Sequence, residues 1–285
     1  MNYRHAFHAG NFADVMKHAV LAQIVQYLTR KEKPFRVIDV HAGIGLYDLT
    51  SDEARRGGEF GSGVGRLWEV QQNRPYSIPT LIVPFVNALT EFNANGRLTT
   101  YPGSPELVCR ALRPTDRITL SELHPQDFEK LSERYTEDYR IRVLQDDAWR
   151  VLTSHIPPKE RRGVVLIDPA FEVPNEFERL TKSVLHAVKR WRTGTYLIWY
   201  PVKDVGSAAR MLTRFRTADL PPTLNVNLRV QDPALPGLGA CGLTVINPPF
   251  TLFQQLQADL PWLIRLLARD EQAAGDVTWV GQPPS

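Results

Sequence analysis

An acidic residue followed by a proline ends an apolar run near the middle of the chain. Residues 164–167, Val-Val-Leu-Ile, lead directly into Asp168-Pro169-Ala170-Phe171. Such a run predicts a buried strand, and Pro169 must end it because proline cannot donate to a β-ladder. Asp168 is therefore expected at the carboxyl end of a strand, which is where open α/β sheets bind their ligands.

The side chains at this turn suit chemistry on an exocyclic amino group. Asp/Asn-Pro-Pro followed by an aromatic residue is the pattern of enzymes that methylate amino groups of nucleobases. The N6 lone pair of adenine is delocalised into the ring, so this nitrogen is a poor nucleophile until acceptors bond its two N–H groups. The Asp168 side chain and the Pro169 carbonyl would be those acceptors, and the Phe171 ring would stack on the base. Ala170 stands where the pattern has its second proline.

Three other predicted strands also end at polar or glycine-rich turns. The strand over 35–40 leads into His41-Ala42-Gly43-Ile44-Gly45, the strand over 118–122 ends at Glu122, and the strand over 141–144 leads to Asp147. In a doubly wound sheet these ends lie side by side. In chain order they match a nucleoside-bearing cofactor: a glycine loop, an acid for the ribose hydroxyls and an acid for the adenine amine. A single strand-end acid more often caps a helix, but the ordered series favours a ligand site.

A second copy of the pattern occurs near the end of the chain. Asn247-Pro248-Pro249-Phe250 fits the amino-methylase pattern more closely than the motif at Asp168 does, and it follows an apolar run over 243–246. We nevertheless place the catalytic motif at Asp168, because the strand before Asn247 is expected to be the last one, after the sheet is complete. Asn247 is expected to have a structural role, at the end of a strand terminated by two prolines.

Strands and helices alternate over most of the chain, which predicts an α/β fold with a mostly parallel sheet. A first helix is expected over 14–28, with Asp14 as its N-cap. Between 47 and 103 the pattern indicates two helices, over 64–72 and 81–93, and no strand. We therefore expect a main domain formed by 1–46 and 104–285, with an N-terminal motif segment at 1–33 and a helical insertion at 47–103.

Composition and charge limit the class of protein. The chain has 285 residues and a net charge of +3, which permits a nucleic-acid partner without requiring one. No apolar stretch approaches the length of a membrane span and no signal-peptide pattern is present, so we expect a cytoplasmic protein. The two cysteines are far apart, and His5, His8 and His18 lack the spacing typical of a metal site, so no metal is expected.

Short motifs along essentially the whole chain form a specific set. They are Tyr3-Arg4-His5-x-Phe7-His8-Ala9-Gly10-Asn11, Asp14-Val15-x-Lys17-His18, Asp39-x-His41-Ala42-Gly43-x-Gly45, Tyr101-Pro102-Gly103-Ser104-Pro105, Glu122-Leu123-His124-Pro125, Leu166-Ile167-Asp168-Pro169, Trp199-Tyr200-Pro201 and Ile246-Asn247-Pro248-Pro249. Together they resemble the RlmJ family, the 23S ribosomal RNA adenine-N6 methyltransferases. The family usually has Asp-Pro-Pro-Tyr where this chain has Asp168-Pro169-Ala170-Phe171, and tends to have Asp-Gly where this chain has Asp147-Ala148.

The resemblance implies a Rossmann-like class I methyltransferase domain that uses S-adenosyl-L-methionine to methylate N6 of one adenine in 23S rRNA. We expect protein-free RNA as the substrate, because the base must be unstacked before its amine can reach a buried acceptor. It implies a cofactor site formed by Lys17, His18, His41, Gly43, Ser104, Glu122, Asp147, Ala148 and Asp168. The expected catalytic residues are Asp168, Pro169 and Phe171, while Tyr3 and Phe171 are expected to bind the substrate adenine. The implied partner is 23S rRNA, without a membrane or a metal, and we expect a monomer.

Two other functions stay open at this point. A DNA adenine-N6 methylase would share the catalytic motif, and methylation assays on rRNA and on duplex DNA would separate the two enzymes. A non-catalytic RNA-binding or assembly protein is the other alternative, with Ala170 as the mark of a degenerate motif. Cofactor binding without methyl transfer would support that alternative.

Overall fold

The computed structural model describes residues 4–203 and 205–283. Its strands are β1 (Arg36–Asp39), β2 (Leu46–Asp48), β3 (Thr100–Pro102), β4 (Arg117–Ser121), β5 (Ile141–Leu144), β6 (Gly163–Ile167), β7 (Thr195–Pro201), β8 (Thr223–Arg229), β9 (Ala240–Ile246) and β10 (Ala274–Trp279). Its α-helices are α1 (Phe12–Thr29), α2 (Asp52–Gly57), α3 (Val64–Asn73), α4 (Val83–Phe92), α5 (Ser104–Ala111), α6 (Pro125–Tyr135), α7 (Ala148–Ser154), α8 (Glu176–Arg190), α9 (Val205–Thr217) and α10 (Leu252–Leu267).

One large sheet organises the fold. Within the described ranges it contains eight strands in the order β10-β8-β9-β7-β6-β1-β4-β5. β1 pairs in parallel with β4 and β6, and the parallel set continues to β5 on one side and to β7 on the other. β6 is buried at every position, which explains its unbroken apolar sequence, because helices cover both faces of a parallel sheet. The predicted Rossmann-like α/β fold is confirmed.

The far side of the sheet is antiparallel. β9 pairs with β7 and β8 in opposite directions, and β10 pairs antiparallel with β8 at the edge. The prediction that the strand ending at Ile246 would be the last is wrong, because α10 and β10 follow it. β10 has no apolar run, since it is an edge strand whose residues are exposed or only partly buried.

The segment between β1 and α5 begins and ends with a small two-stranded sheet. β2 and β3 pair antiparallel, with Leu46 opposite Pro102 and Asp48 opposite Thr100. The prediction that this segment holds no strand is wrong, because strands of three residues are too short to show alternation in the sequence. The two predicted helices are confirmed as α3 and α4. The division of the chain into a main domain and an insertion at 47–103 stays a prediction.

Helix α1 is buried on nearly every side, and it brings polar side chains into the centre of the molecule. It packs against α4, α5, α10 and the sheet. Asp14, Lys17 and His18 are each less than 5% exposed. The N-cap is Asn11, whose Oδ1 accepts the Asp14 N–H at 2.9 Å, so the prediction that Asp14 caps the helix is wrong. The Asp14 carboxylate instead accepts the Gly10 N–H at 2.8 Å and faces the cleft described next.

Candidate active site

A cleft of about 970 Å³ opens at the carboxyl ends of β1, β4, β5 and β6. This is the edge at which open α/β sheets bind ligands. Tyr3 lies outside the described residues. All the other predicted site residues line the cleft: Lys17, His18, His41, Gly43, Ser104, Glu122, Asp147, Ala148, Asp168, Pro169 and Phe171. The structure therefore brings together, from across the sequence, the residues selected from strand ends and from family motifs.

Lys17 links the N-terminal helix to the motif at Asp168. Its ammonium donates to Asp14 Oδ1 at 2.7 Å and to Asp168 Oδ2. Burial by itself would lower the pKa of Lys17, but the two carboxylates more than offset this and raise it above its ordinary value. Burial would likewise raise the pKa of Asp14, yet the adjacent His5 and Lys17 hold it well below its usual range. Asp14, Lys17 and Asp168 thus form one hydrogen-bonded cluster at the wall of the cleft.

Asp168 keeps one oxygen toward the cleft. Lys17 occupies Oδ2, and within the described part of the chain no donor lies in hydrogen-bond reach of Oδ1. The backbone N–H of Asp168 donates to His41 Nδ1 at 3.1 Å. Burial lowers the pKa of His41 to about 4, so this ring is neutral near pH 7 and can accept that hydrogen bond. Both contacts fix the orientation of the turn after β6.

The loop after β1 is held by two carboxylates, the buried Asp39 and the partly buried Glu122. Asp39 Oδ1 accepts the His41 N–H at 3.1 Å, and its Oδ2 accepts the Ser104 hydroxyl at 2.6 Å. Burial raises the pKa of Asp39 to about 6 despite these bonds. Glu122 accepts the Gly43 N–H at 2.9 Å and the His124 N–H at 2.8 Å. Glu122 thus ties the glycine loop to the end of β4, and burial raises its pKa.

His18 lies on α1 beside Lys17 and hydrogen-bonds through Nδ1 to the hydroxyl of Tyr101. Burial, and after it the nearby Lys17 ammonium, holds the pKa of His18 well below its ordinary value. His18 is therefore neutral at physiological pH. Its Nε2 is the ring nitrogen left for a ligand in the cleft.

Asp147 ends the loop after β5 and caps α7. Its Oδ1 accepts the backbone N–H of Trp149 at 3.0 Å and of Arg150 at 3.2 Å. The guanidinium of Arg179 approaches Asp147 Oδ2 to 3.1 Å and lies 5.4 Å from the centre of the Trp149 ring. Trp149 and Arg179 line the cleft but lie outside every motif that we could select from the sequence.

Phe171 has a backbone conformation that is uncommon for a large side chain. Its φ is +54°, in the left-handed region that favours glycine. Such strain persists only where the surroundings enforce it, and it is concentrated at functional sites. The Phe171 ring lies 4.6 Å from the ring of Phe177 and 6.0 Å from that of Trp199, centre to centre. These three rings form an aromatic wall of the cleft next to Asp168.

Asn247 lies at the end of the sheet away from the cleft, where the parallel strands begin. β9 runs antiparallel to β7, and Ile246 pairs with Tyr196 near the amino end of that strand. The Asn247 amide donates to the carbonyl of Thr193 at 3.0 Å, and its backbone N–H donates to the carbonyl of Pro222 at 2.8 Å. These bonds join the turns before β7 and β8. The Asn247-Pro248-Pro249-Phe250 motif is thus remote from the cleft, and the Asn247 side chain is bonded to backbone.

Comparison with known proteins identifies the family. The model of a family described as RsmJ, ribosomal RNA large subunit methyltransferase D, RlmJ, matches residues 32–281. The chain belongs to the RlmJ family. The ribosomal RNA large subunit methyltransferase J of Escherichia coli (strain K12) is 37% identical, with 98% of this chain and 99% of that protein covered. The protein of the same name from Haemophilus influenzae (strain ATCC 51907 / DSM 11121 / KW20 / Rd) is 38% identical with the same coverage.

A crystal structure of a Legionella pneumophila str. Philadelphia 1 protein superimposes with a TM-score of 0.87 at 30% identity and covers 95% of this chain and 98% of its own. The resemblance inferred from short motifs is therefore confirmed over nearly the full length. Since the RlmJ family consists of methyltransferases, the expected class of enzyme is confirmed as well. No helix in the described ranges has the length and apolar character that crossing a membrane requires.

Two histidines of the N-terminal motif have carboxylate partners. His5 Nε2 bonds to Asp14 at 2.9 Å, and His8 Nδ1 bonds to Glu59 at 2.8 Å. Glu59 lies in the segment between β1 and α5 and could not be associated with His8 from the sequence. Among the described residues, no group of three or more histidine, cysteine, aspartate or glutamate side chains is arranged to hold a metal ion.

Proposed function

We propose that this member of the RlmJ family transfers a methyl group from S-adenosyl-L-methionine to N6 of an adenine in 23S rRNA. The observation that supports this most strongly is the position of Asp168-Pro169 and Phe171. They line one cleft together with the glycine loop and the strand-end acids Glu122 and Asp147. The names of the relatives from E. coli and H. influenzae support a ribosomal RNA substrate.

The residues present fit a cofactor of this kind. A carboxylate offers about four acceptor positions, and the two loop N–H groups use two of those on Glu122, which leaves acceptors for two ribose hydroxyls. The cleft volume of about 970 Å³ is at the upper end for small-molecule sites, so it suits a nucleoside cofactor and one base together. When bound, S-adenosyl-L-methionine would supply an electrophilic methyl group on a positively charged sulfur.

Each predicted cofactor residue has a distinct task in this proposal. Glu122 binds the ribose, Asp147 and the Ala148 N–H bind the adenine, and Gly43 allows close approach of the backbone. His18, His41, Ser104 and Lys17 surround the amino acid part of the cofactor. Lys17 has three N–H donors, and Asp14 and Asp168 take two of them, so one donor is left for a carboxylate.

The chain's own contribution to the reaction is to hold and polarise the amino group of the target base. Asp168 Oδ1 accepts one N6 hydrogen and the Pro169 carbonyl accepts the other. As the nitrogen gains positive charge in the transition state, these fixed acceptors stabilise it more than they stabilise the ground state. Phe171 stacks on the base, and Ala170 in place of proline removes no acceptor. Tyr3 is proposed to contact the same adenine.

Calorimetric titration with S-adenosylhomocysteine tests the cofactor assignment. We expect binding by the wild type and a sharp loss of affinity in Glu122→Ala, because the ribose acceptors and the brace on the glycine loop both disappear. Asn247→Ala is the matched control, since it alters a strand-end polar residue outside the cleft. Equal affinity for NAD, or no affinity for S-adenosylhomocysteine, would refute the assignment.

Mass spectrometry of N6-methyladenosine in 23S rRNA, with and without the protein, tests the substrate. A base in folded RNA must be unstacked before its amine can reach a buried acceptor. Protein-free 23S rRNA should therefore be methylated faster than mature subunits, in which packing hides such bases. Methylation of duplex DNA in preference to rRNA would favour the DNA methylase. Cofactor binding without transfer to either substrate would favour a non-catalytic protein.

A further inference from the structure

The cleft extends beyond the residues assigned to the cofactor. β1, β4 and β5, which carry the cofactor residues, lie on one side of β6 in the sheet, and β7 lies on the other. On that second side the cleft is lined by Lys203, which follows β7, and by residues of α9. There the lining includes the rings of Phe171 and Trp199 and, at the rim, the exposed side chain of Val173. The part of the cleft beyond Asp168 thus has room and contact surface for a ligand other than the cofactor.

Three basic residues line this second part of the cleft, and we call them the α9 basic stripe: Lys203, Arg210 and Arg214. Ser207 lies between them, and Arg210 Nη2 donates to its hydroxyl at 2.7 Å. Ser207, Arg210 and Arg214 follow one another at intervals of three and four residues, so they lie on one face of α9, and Lys203 precedes the helix. Arg210 and Arg214 are consequently one turn apart, about 6 Å along the axis.

The buried face of α9 fixes the direction in which the arginines of the stripe point. Ala208, Met211 and Phe215 are buried in the core that packs against β7, which prevents the helix from turning about its axis. Arg216 is two positions beyond Arg214, so it projects from nearly the opposite side of the helix. It is absent from the described residues that line the cleft. α9 therefore carries exposed arginines in the cleft, Arg210 and Arg214, and a comparable one outside it, Arg216.

Two members of the stripe, Lys203 and Arg214, keep their positive charge without an ion pair in the described part of the chain. The carboxylates Glu172, Glu176 and Glu178 also line the cleft, around the beginning of α8. A polyanion entering the cleft is repelled by that segment and attracted by the stripe, so charge complementarity directs it to α9.

We propose that the α9 basic stripe binds the phosphate backbone of the RNA strand next to the adenine held at Asp168. This inference rests on the proposed function and specifies how its substrate is held. An unpaired base that is turned into a pocket must remain attached to a strand outside it, and phosphate contacts fix the register of that strand. The aromatic wall contacts the base, while the stripe, which follows the neighbouring strand β7, holds the adjacent phosphates.

Arg214→Glu tests the stripe, and Arg216→Glu is the control with the same charge change on the same helix. Filter binding to a 23S rRNA transcript, without cofactor, should show about a fivefold weaker affinity for Arg214→Glu than for Arg216→Glu. The slope of log affinity against log salt should become shallower by about 0.7 for each phosphate that the variant no longer neutralises. In methylation assays KM for the RNA should rise, and kcat at saturating RNA should be retained.

Two further measurements separate a specific effect from a general one. Affinity for S-adenosylhomocysteine should be unchanged in Arg214→Glu, and Arg214→Lys should restore most of the RNA affinity because it keeps the charge. Indistinguishable affinities and salt slopes for Arg214→Glu and Arg216→Glu would overturn the inference. Stripe-dependent RNA binding by a wild-type protein that transfers no methyl group would instead refute the proposed chemistry at Asp168, and it would support the stripe.

Discussion

Replacement of Asp168 by asparagine should reduce methyl transfer almost as far as replacement by alanine. From the sequence alone Asp168→Asn is expected to retain more methyl transfer than Asp168→Ala, because a carboxamide keeps one acceptor. In the structure, however, Oδ2 of Asp168 accepts from Lys17, whose side chain is only 5% exposed and cannot turn to water. The single oxygen of the introduced carboxamide would have to serve Lys17. Its NH₂ group would then face the amino group of adenine, and donor would meet donor.

The loss of rate expected for Asp168→Asn follows from the two orientations that its carboxamide can adopt. Turning the oxygen toward the adenine leaves the buried Lys17 ammonium facing an NH₂ group, and breaking one side of a buried ion pair costs about 3–5 kcal/mol. Asp14 still neutralises part of that charge, so we use the lower figure, which disfavours the productive orientation by roughly a hundredfold. Loss of one preorganised group costs about 10²–10³ in rate. Asp168→Asn and Asp168→Ala should therefore differ by less than about tenfold.

Single-turnover methylation of 23S rRNA at saturating cofactor measures both rates. Affinity for S-adenosylhomocysteine and the melting temperature show whether each variant is folded. The double variant Lys17→Met/Asp168→Asn should recover part of the rate lost in Asp168→Asn, because its carboxamide is free to turn. If Asp168→Asn keeps more than about a tenth of the wild-type rate while Asp168→Ala loses more than about a hundredfold, the role assigned to the ion pair is refuted.

Three further substitutions have definite expected outcomes. Burial lowers the pKa of His41 from 6.5 to about 4. The contribution of the neutral ring to the stability of the fold is therefore complete above about pH 6.5 and is lost as the pH falls toward 4. Over that interval the Tm of the wild type should lose its advantage over the Tm of His41→Asn. Asn247→Ala should lower Tm, because the bond to Thr193 is lost, and leave the single-turnover rate within about threefold. Ala170→Pro should leave the rate within the same limit and raise the free energy of unfolding by about 0.4–1 kcal/mol, whereas a large drop in rate would show that the backbone cannot accept proline.

The sheet around the site could be predicted from the sequence because its strands are buried on both faces. Runs such as Val164–Ile167 are then unbroken, and the polar residue after each run marks the edge where a ligand binds. This pattern predicts, without any three-dimensional information, that Glu122, Asp147 and Asp168 lie together at the carboxyl ends of the strands. The same logic gave no signal for β10, whose residues are only partly buried, or for β2 and β3, which have three residues each.

The contacts between distant segments could not be predicted. The bond between Lys17 and Asp168 joins residues 151 positions apart, and the bond between His8 and Glu59 joins residues 51 positions apart. No periodicity encodes such a pair, because each partner satisfies its local element equally well without the other. The predicted N-cap of α1 is wrong for a related reason. Asn11 and Asp14 are both suitable caps, and only the direction of the Asp14 side chain, which faces the cleft, decides between them.

The direction of a strand decides which of the two amino-methylase motifs lies at the ligand-binding edge. Both follow an apolar run, and both have a residue with positive φ, Phe171 in one motif and Asn247 in the other. β6 is parallel to its neighbours, so Asp168 reaches the cleft, whereas β9 is antiparallel to β7 and delivers Asn247 to the opposite edge. The argument from position along the chain rests on an incorrect premise, since β9 is not the last strand, and the direction of β9 is the structural reason to prefer Asp168. A motif that matches letter for letter can therefore have a purely structural role where its strand is reversed.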